Sequence, residues 1–533
     1  MSPASFQHGV ASGDPLADAV VIWTRVTTGE PAVGVEWTLA RDPALREVVA
    51  SGEAVASADD DHTVHVDAAG LESGTTYHYG FACDGVRSPV GRTRTLPGAE
   101  AERLRFATCS CAKFNAGHFN AYARIAERDD LAFLLHLGDY VYEASNTPPK
   151  TQTPGADIGR PFEPAGECRT LDDYRTRYAQ ARADADLRYL HQRHPVVAIW
   201  DDHDIADNAW RHGAKHHDPN EHGPWEDRLQ AAARAHQEWL PGRLTDPGDL
   251  LRVYRSFTVG DLAEVVLLDT RIVGRDPQAD EEAALPWDDP ARSLLGDEQR
   301  SWAHARVKDT TRPWCLLVSG VVLNRMELPV EKGAKLGDLA PSGYAVVGGQ
   351  AMCTDEWDGY PAERKALTAA VAERGPGVVT LSGDVHSAWA FEGPCGEDGA
   401  PVAVEFVAPC ITATPMARQL PPGWRKLLGR VAERLPEARW FELEHHGYLV
   451  VTVDPAGAQA DWYTVDTEDP EARTRLAASW RHPFLRPGRL DEIRTQTAAP
   501  PTQRRRQRRR IAAAGGLAAF VAFLGVLRRR RRT

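Results

Sequence analysis

Cysteine is scarce in this chain: eight residues among 533, at 83, 109, 111, 168, 315, 353, 395 and 410, with no repeating spacing. That excludes a disulfide-stapled fold and leans toward a reducing compartment. The start, Met1-Ser2-Pro3-Ala4-Ser5-Phe6-Gln7-His8, lacks the basic segment and apolar run of a secretory signal. No period of solenoid or propeller length recurs. Positive charge is concentrated in one place. Eleven arginines and no acid occupy the last thirty residues, so a net charge of −13 for the chain becomes −24 for the rest. An acidic body excludes nucleic-acid binding by the globular part. What remains is ordinary globular composition, 42% hydrophobic and 26% charged, in a length that suits two or three domains.

Residues 6–97 read as β. Val20–Trp23, Val35–Leu39, Thr63–Val66, Tyr77–Phe81 and Arg92–Leu96 are short runs separated by turn formers such as Gly13-Asp14-Pro15 and Ser73-Gly74, the pattern of a β-sandwich. After a linker at Pro97-Gly98, strands alternate with helices. Strands are expected at 104–108, 131–137, 195–200, 263–268, 314–320, 377–382, 402–408 and 448–453. Helices are expected at 117–129, 172–191, 226–239, 297–308 and 361–374, which makes an α/β layered domain. The fold class is therefore α/β, with an immunoglobulin- or fibronectin-like sandwich over 1–98 and a layered domain over 103–480. A disordered basic tether spans 494–510. Beyond it, 511–527 carries no charge and has arginines on both sides. As a helix it is about 25 Å long, just under a ~30 Å hydrocarbon core, and it reads as a membrane anchor. The simplest arrangement keeps the body in the cytoplasm at the cell membrane; the alternative is a soluble cytoplasmic protein.

The chemistry sits at strand ends. Leu131–Leu137 leads into Gly138-Asp139-Tyr140-Val141-Tyr142-Glu143, and Val196–Trp200 into Asp201-Asp202-His203-Asp204. Val265–Leu268 leads into Asp269-Thr270-Arg271, and Val378–Leu381 into Ser382-Gly383-Asp384-Val385-His386-Ser387. Helix capping explains one Asp per junction but not Asp-Asp-His-Asp or Asp-Val-His. In α/β sheets ligand groups gather beyond the carboxyl ends of strands, so the four clusters point to one site. A binuclear hydrolytic centre needs a carboxylate that bridges two cations, with further ligands for each. Asp139 is the natural bridge, because Gly138 allows close backbone approach. Asp202, His203 and Asn208 share one loop, and Asp384 and His386, two apart, share one strand face.

These motifs, in this order, resemble the alkaline phosphatase D (PhoD-like) family of the metallophosphoesterases. His8-Gly9-Val10-Ala11-Ser12-Gly13-Asp14-Pro15 with Ile22-Trp23-Thr24-Arg25 is similar to the family's leading β-domain, and the resemblance spans roughly 6–465. It implies an iron ion (Fe3+) held partly by Cys111 and Tyr142 beside calcium, with Cys109 the competing thiol. Asp139, Asp202, Asn208, Asp384 and His386 complete the ligands, and His203 protonates the leaving group. By donor type the oxygen ligands also suit magnesium or manganese. The resemblance implies hydrolysis of phosphate mono- or diesters by a metal-activated hydroxide. Two alternatives stand beside it: a zinc or manganese phosphodiesterase of the wider superfamily with a structural Cys111, and an inactive scaffold tethered to membrane by its tail.

Other residues have two readings each. Arg271 either pairs with Asp269 or a neighbouring carboxylate, or clamps phosphate. His216 and His217, in Arg211-His212-Gly213-Ala214-Lys215-His216-His217, form a polar lid with possible phosphate contacts. Tyr344, Trp357 and Trp389 are candidates to line a substrate cleft, and His445-His446 to supply a late ligand.

Overall fold

The β-branched runs become the middles of two sheets packed face to face. The computed structural model describes residues 4–495, apart from 148–157, 244–245, 247, 280–284, 327, 330–343, 348–349 and 421. A ten-stranded sheet carries Leu104–Cys109, Leu134–His136 and Pro195–Ala198 as parallel neighbours. A seven-stranded sheet carries Ala263–Leu267, Trp314–Val318, Val378–Ser382 and Val404–Val407, also parallel to one another. Phe106, Leu135, Val197, Leu316, Val379 and Phe406 meet between the sheets in one buried core. These strands read as unbroken apolar runs because both faces are covered. Outside the larger sheet, Trp200, Tyr174, Leu190 and Trp239 pack beneath helices Leu171–Ala183, Ala185–Arg193 and Trp225–Trp239. Outside the smaller sheet, helices Gly296–Asp309 and Pro361–Arg374 bury Ala303, Val307, Leu367 and Val371 against Val266 and Leu317. The result is a helix–sheet–sheet–helix sandwich.

Three findings change the sequence reading. The helix expected over 172–191 is two helices, because Asp184 leaves the helical region and caps the second one, its carboxylate accepting from the N–H groups of Asp186 and Leu187. The N-terminal segment is β as expected, but its strands divide between two sheets. Val10–Gly13 pairs parallel with Pro195–Ala198, and Ala19–Arg25 and Thr63–Ala69 extend the ten-stranded sheet. The remaining N-terminal strands form a five-stranded sheet whose Val35, Leu39, Tyr77, Tyr79 and Phe81 close over Val10, Val20, Ile22 and Val64. The sandwich is real, and one of its two layers is shared with the rest of the molecule.

At the other end, strands Gly457–Val465, Arg475–Pro483 and Asp491–Thr495 carry the large sheet past 480. The tether expected from 494 thus begins inside a strand, and its remainder lies outside the described residues. So does the membrane anchor expected at 511–527. Among the described residues no helix is long and apolar enough to cross a membrane.

Candidate metal centre

The carboxyl ends of the parallel strands in both sheets open onto the same region. Leu104–Cys109 delivers Cys111, Leu134–His136 delivers Asp139, and Pro195–Ala198 delivers Asp201, Asp202 and His203. From the smaller sheet come Arg271 after Ala263–Leu267 and Asp384 and His386 after Val378–Ser382. The loops pack too closely for a side chain at two glycines, Gly383 where the two sets meet and Gly138 within the set from the larger sheet. A Cβ on Gly383 would lie 2.9 Å from the Ser110 side chain, and one on Gly138, at φ +100°, would lie 2.4 Å from the Asp201 nitrogen.

Cys111, Asp139, Asn208, Asp384 and His386 all adopt φ between +49° and +59°. Non-glycine residues there cost of order 1–3 kcal/mol each and persist only where the surroundings enforce them. Strand alternation does not align Asp384 with His386, as the sequence suggested. The strand stops at Ser382, and a turn with both residues left-handed presents them. The Asp139 turn is held by Asp204, whose carboxylate accepts from the N–H groups of Asp139 at 2.7 Å, Tyr140 at 2.9 Å, Val141 at 3.2 Å and Asp201 at 2.9 Å. Burial pushes Asp204 up to about 7 against those four donors.

Three interlocking groups able to hold a metal ion result: Cys111, Asp139 and His386; Asp139, Asp202 and His203; and Asp201, Asp202 and Asp384. Within each, the ligand atoms lie inside 4.8 Å of one another. Tyr142 joins the first, its hydroxyl donating to Asp139 at 2.7 Å and standing 3.3 Å from His386 Nε2. His386 Nδ1 lies 3.1 Å from the Thr414 carbonyl, which leaves Nε2 facing the group, and burial holds the imidazole neutral by lowering it to about 4. Burial, with the charges of Asp139 and Asp384, raises the Cys111 thiol well above its ordinary value. Cys109, by contrast, sits in the apolar core.

His203 meets a residue to which the sequence reading gave no role. Its Nδ1 lies 2.8 Å from Glu143 Oε2, and Glu143 Oε1 accepts from the Asp207 N–H at 2.7 Å. Burial pulls His203 down, but Glu143, Asp202 and Asp139 outweigh it and raise the imidazole well above its usual value. Burial likewise pushes Glu143 up, and the His203 charge overrides it to hold Glu143 at about 2. The His203 ring stacks on Tyr142 at 4.2 Å.

Arg271 resolves toward pairing. Its guanidinium is 0% exposed and binds Asp201 and, at 2.8 Å each, Asp355 and Asp384. All three nitrogens are engaged by carboxylates. Asp269 is not its partner. That carboxylate instead accepts from the backbone N–H groups of Arg271, Ile272 and Val273 and from Trp200 Nε1. Asp355, with Arg275 beside it, has no counterpart in the sequence reading, since it follows no long apolar run.

The remaining expectations divide. Asn208 is brought in, its N–H donating to Asp202 at 2.6 Å. His216 and His217 line a cavity of about 70 Å3 with Glu143, Asp207 and Arg228, not the metal cluster. His216 faces Asp207 at 3.4 Å, while His217 Nε2 is 3.1 Å from the Gly223 carbonyl and its ring packs on Trp225. Trp357 and Trp389 are core residues, and the Tyr344 side chain lies outside what the structure describes. His446 is occupied by Ala413 and Thr467, and His445 by Glu442.

Comparison with known proteins adds the family. Residues 106–462 match the PhoD-like phosphatase family, and residues 1–97 match the PhoD-like phosphatase N-terminal domain. The chain belongs to the PhoD-like phosphatases. It is 34% identical over 499 residues to alkaline phosphatase D of Bacillus subtilis (strain 168), covering 89% of this chain and 80% of that protein. A solved structure of PhoD superposes with a TM-score of 0.80 at 30% identity, covering 94% of each chain. As a PhoD-like phosphatase the protein is a metal-dependent phosphoric ester hydrolase.

The donors of this PhoD-like site fit cations. Asp202 Oδ1 is buried and accepts no hydrogen bond, with Arg271 Nη2 3.5 Å away in ion-pair range only. Burial drives Asp139, Asp201 and Asp202 upward together, the response of carboxylates crowded beyond what Arg271 and His203 neutralise.

Proposed function

We propose that the centre holds two kinds of cation and hydrolyses phosphate mono- or diesters, with Asp139 the carboxylate that would serve both. Cys111, Tyr142, Asp139 and His386 supply sulfur, phenol oxygen, carboxylate and imidazole, a set that suits iron. Asp202, Asn208 and Asp384 offer oxygen, which suits calcium. The observation that carries this reading is the sharing of ligands: Asp139 belongs to two of the three groups and Asp202 to two. Bound there, the cations would supply a nucleophile at neutral pH and stabilise charge on the phosphoryl oxygens.

The chain's own residues do the rest. His203 is held by Glu143 through Nδ1, which leaves Nε2 to give a proton to the departing alkoxide. Arg271 holds Asp201, Asp355 and Asp384 in place, so the carboxylates keep one geometry as substrate arrives. Burial of the thiol and phenol excludes water from their side of the site.

Chelator treatment is expected to abolish hydrolysis of p-nitrophenyl phosphate and its bis-ester, and iron and calcium to restore it. A visible charge-transfer band is expected in the iron-loaded protein and lost in Tyr142→Phe. Activity that survives chelation, or zinc and manganese as the only metals found by elemental analysis, overturns the assignment. Membrane attachment through 511–527 is proposed on the arginine-flanked apolar sequence alone; fractionation of the full chain against residues 1–503 tests it.

A further inference from the structure

Lys113 is a cation beside the metal centre with no anion of its own. It follows Cys111 and Ala112, and the Ala112 N–H donates to the Asp139 carbonyl at 2.9 Å, so the segment runs along the Asp139 turn. Its ammonium stands over the Tyr142 ring, 5.5 Å from the centroid. That is the ring whose hydroxyl bonds Asp139 and whose face stacks on His203. The charges that act on it most are Glu143, Asp207 and Asp139, and it acts in turn on His386.

Each of those acids is already committed. Glu143 is bound to His203 and the Asp207 N–H, Asp207 faces Lys215 at 3.6 Å and His216 at 3.4 Å, and Asp139 is taken by Tyr142 and the His203 N–H. Among the described residues the Lys113 ammonium makes no hydrogen bond and no ion pair. A half-buried ammonium with no anion of its own is costly. An anion arriving at the centre would relieve that cost, and the anion this site receives is a phosphoryl group.

We propose that Lys113 contacts a non-bridging phosphoryl oxygen of the substrate and takes up the second negative charge of a phosphomonoester. At this site Lys113 then favours phosphomonoesters over diesters. A monoester is largely dianionic above its second pKa of about 6, whereas a diester carries a single charge and gains less from one more cation. This inference rests on the phosphoesterase reading above and names the residue that discriminates between its two ester classes.

The test compares Lys113→Ala with the parent enzyme, both metal-loaded, on p-nitrophenyl phosphate and bis-p-nitrophenyl phosphate. In the variant kcat/KM is expected to fall about ten- to a hundredfold on the monoester and less than about threefold on the diester, with metal content unchanged. Lys113→Arg is expected to restore part of the monoester rate. Inorganic phosphate, titrated calorimetrically into the metal-loaded protein, is expected to bind more weakly to Lys113→Ala by a similar factor. Lys113→Met keeps the aliphatic stem on the Tyr142 ring and gives the same readouts should the alanine variant lose metal. An equal fall on both esters, no fall on either, or unchanged phosphate affinity overturns the proposal. Parent enzyme that binds metal and phosphate yet hydrolyses neither ester defeats the phosphoesterase reading instead, and the calorimetric comparison still decides Lys113.

Discussion

Tyr142 and Glu143 are adjacent in sequence and belong to different parts of the chemistry. The Tyr142 hydroxyl bonds Asp139, while Glu143 turns to hold His203 Nδ1 and is itself only 3% exposed. A carboxylate on one ring nitrogen fixes the tautomer and the ring's direction. Its removal is felt where a proton must be delivered. Glu143→Gln is expected to slow hydrolysis of an alkyl phosphate, whose leaving group needs that proton, by about a hundredfold. p-Nitrophenyl phosphate, with its acidic leaving group, should slow far less. Equal loss on both substrates would make Glu143 a purely structural residue. The sequence displayed Glu143, Asp204 and Lys113 in plain view, but nothing in their spacing told them from ordinary loop polar residues. Glu143 holds His203 from 60 residues away and Asp204 holds the Asp139 N–H from 65, and Lys113 is informative through having no anion of its own.

At the scale of the element, the strand-end turns are built by conformations that side chains resist. Gly138 sits at φ +100° with the Asp201 backbone against the place a Cβ would take. Gly138→Ala is therefore expected to strain the turn that carries Asp139 and to lower stability by about 1–3 kcal/mol. Denaturant unfolding measures that loss, and metal affinity should fall with it; a variant of parental stability would show that the turn relaxes without cost.

Central strands such as Ala263–Leu267, Trp314–Val318 and Val378–Ser382 were legible because burial on both faces demands continuous apolar residues. Gly457–Val465 and Arg475–Pro483 were not, because polar residues interrupt them: Gln459 and Asp461 in one, Ser479 and Arg481 in the other. Across the pair Gln459 donates to Ser479 and Ser479 to Asp461, while Arg481 reaches Asp454, an arrangement no single strand reveals.

In the whole molecule, the N-terminal strands are part of the catalytic framework. Val10–Gly13 lies between Pro195–Ala198, which feeds Asp201 and Asp202, and Ala19–Arg25. Trp23 Nε1 donates to the Glu238 carbonyl, and Arg182 lies over the Trp23 ring. Deletion of residues 1–97 is expected to leave the rest insoluble or without cooperative unfolding; a soluble, active 98–533 would refute the shared-sheet argument.

Acid should also unfold the protein early. Burial lowers His136 and His236 to about 3 from an ordinary value of 6.5. Between those values the folded state binds fewer protons than the unfolded chain, so their stabilisation is complete above about 6.5 and is lost as pH falls toward 3. Each should cost about 2 kcal/mol between pH 6.5 and pH 5. Urea midpoints at the two pH values check this, and a midpoint that rises on acidification would contradict it.

The amino-acid order by itself determined the α/β class, the β character of the first hundred residues, and the acidic, thiol and imidazole donors. Each of these follows from local pattern: apolar run length for buried strands, and residue type for ligand chemistry. Only tertiary structure decided that Cys111 and not Cys109 faces the centre, that Arg271 serves carboxylates, and that two sheets share the N-terminal strands. The physical reason is that a side chain's role depends on which charges and backbone donors surround it. Here those neighbours arrive from the ends of strands in two different sheets, and packing between the sheets is what brings them together.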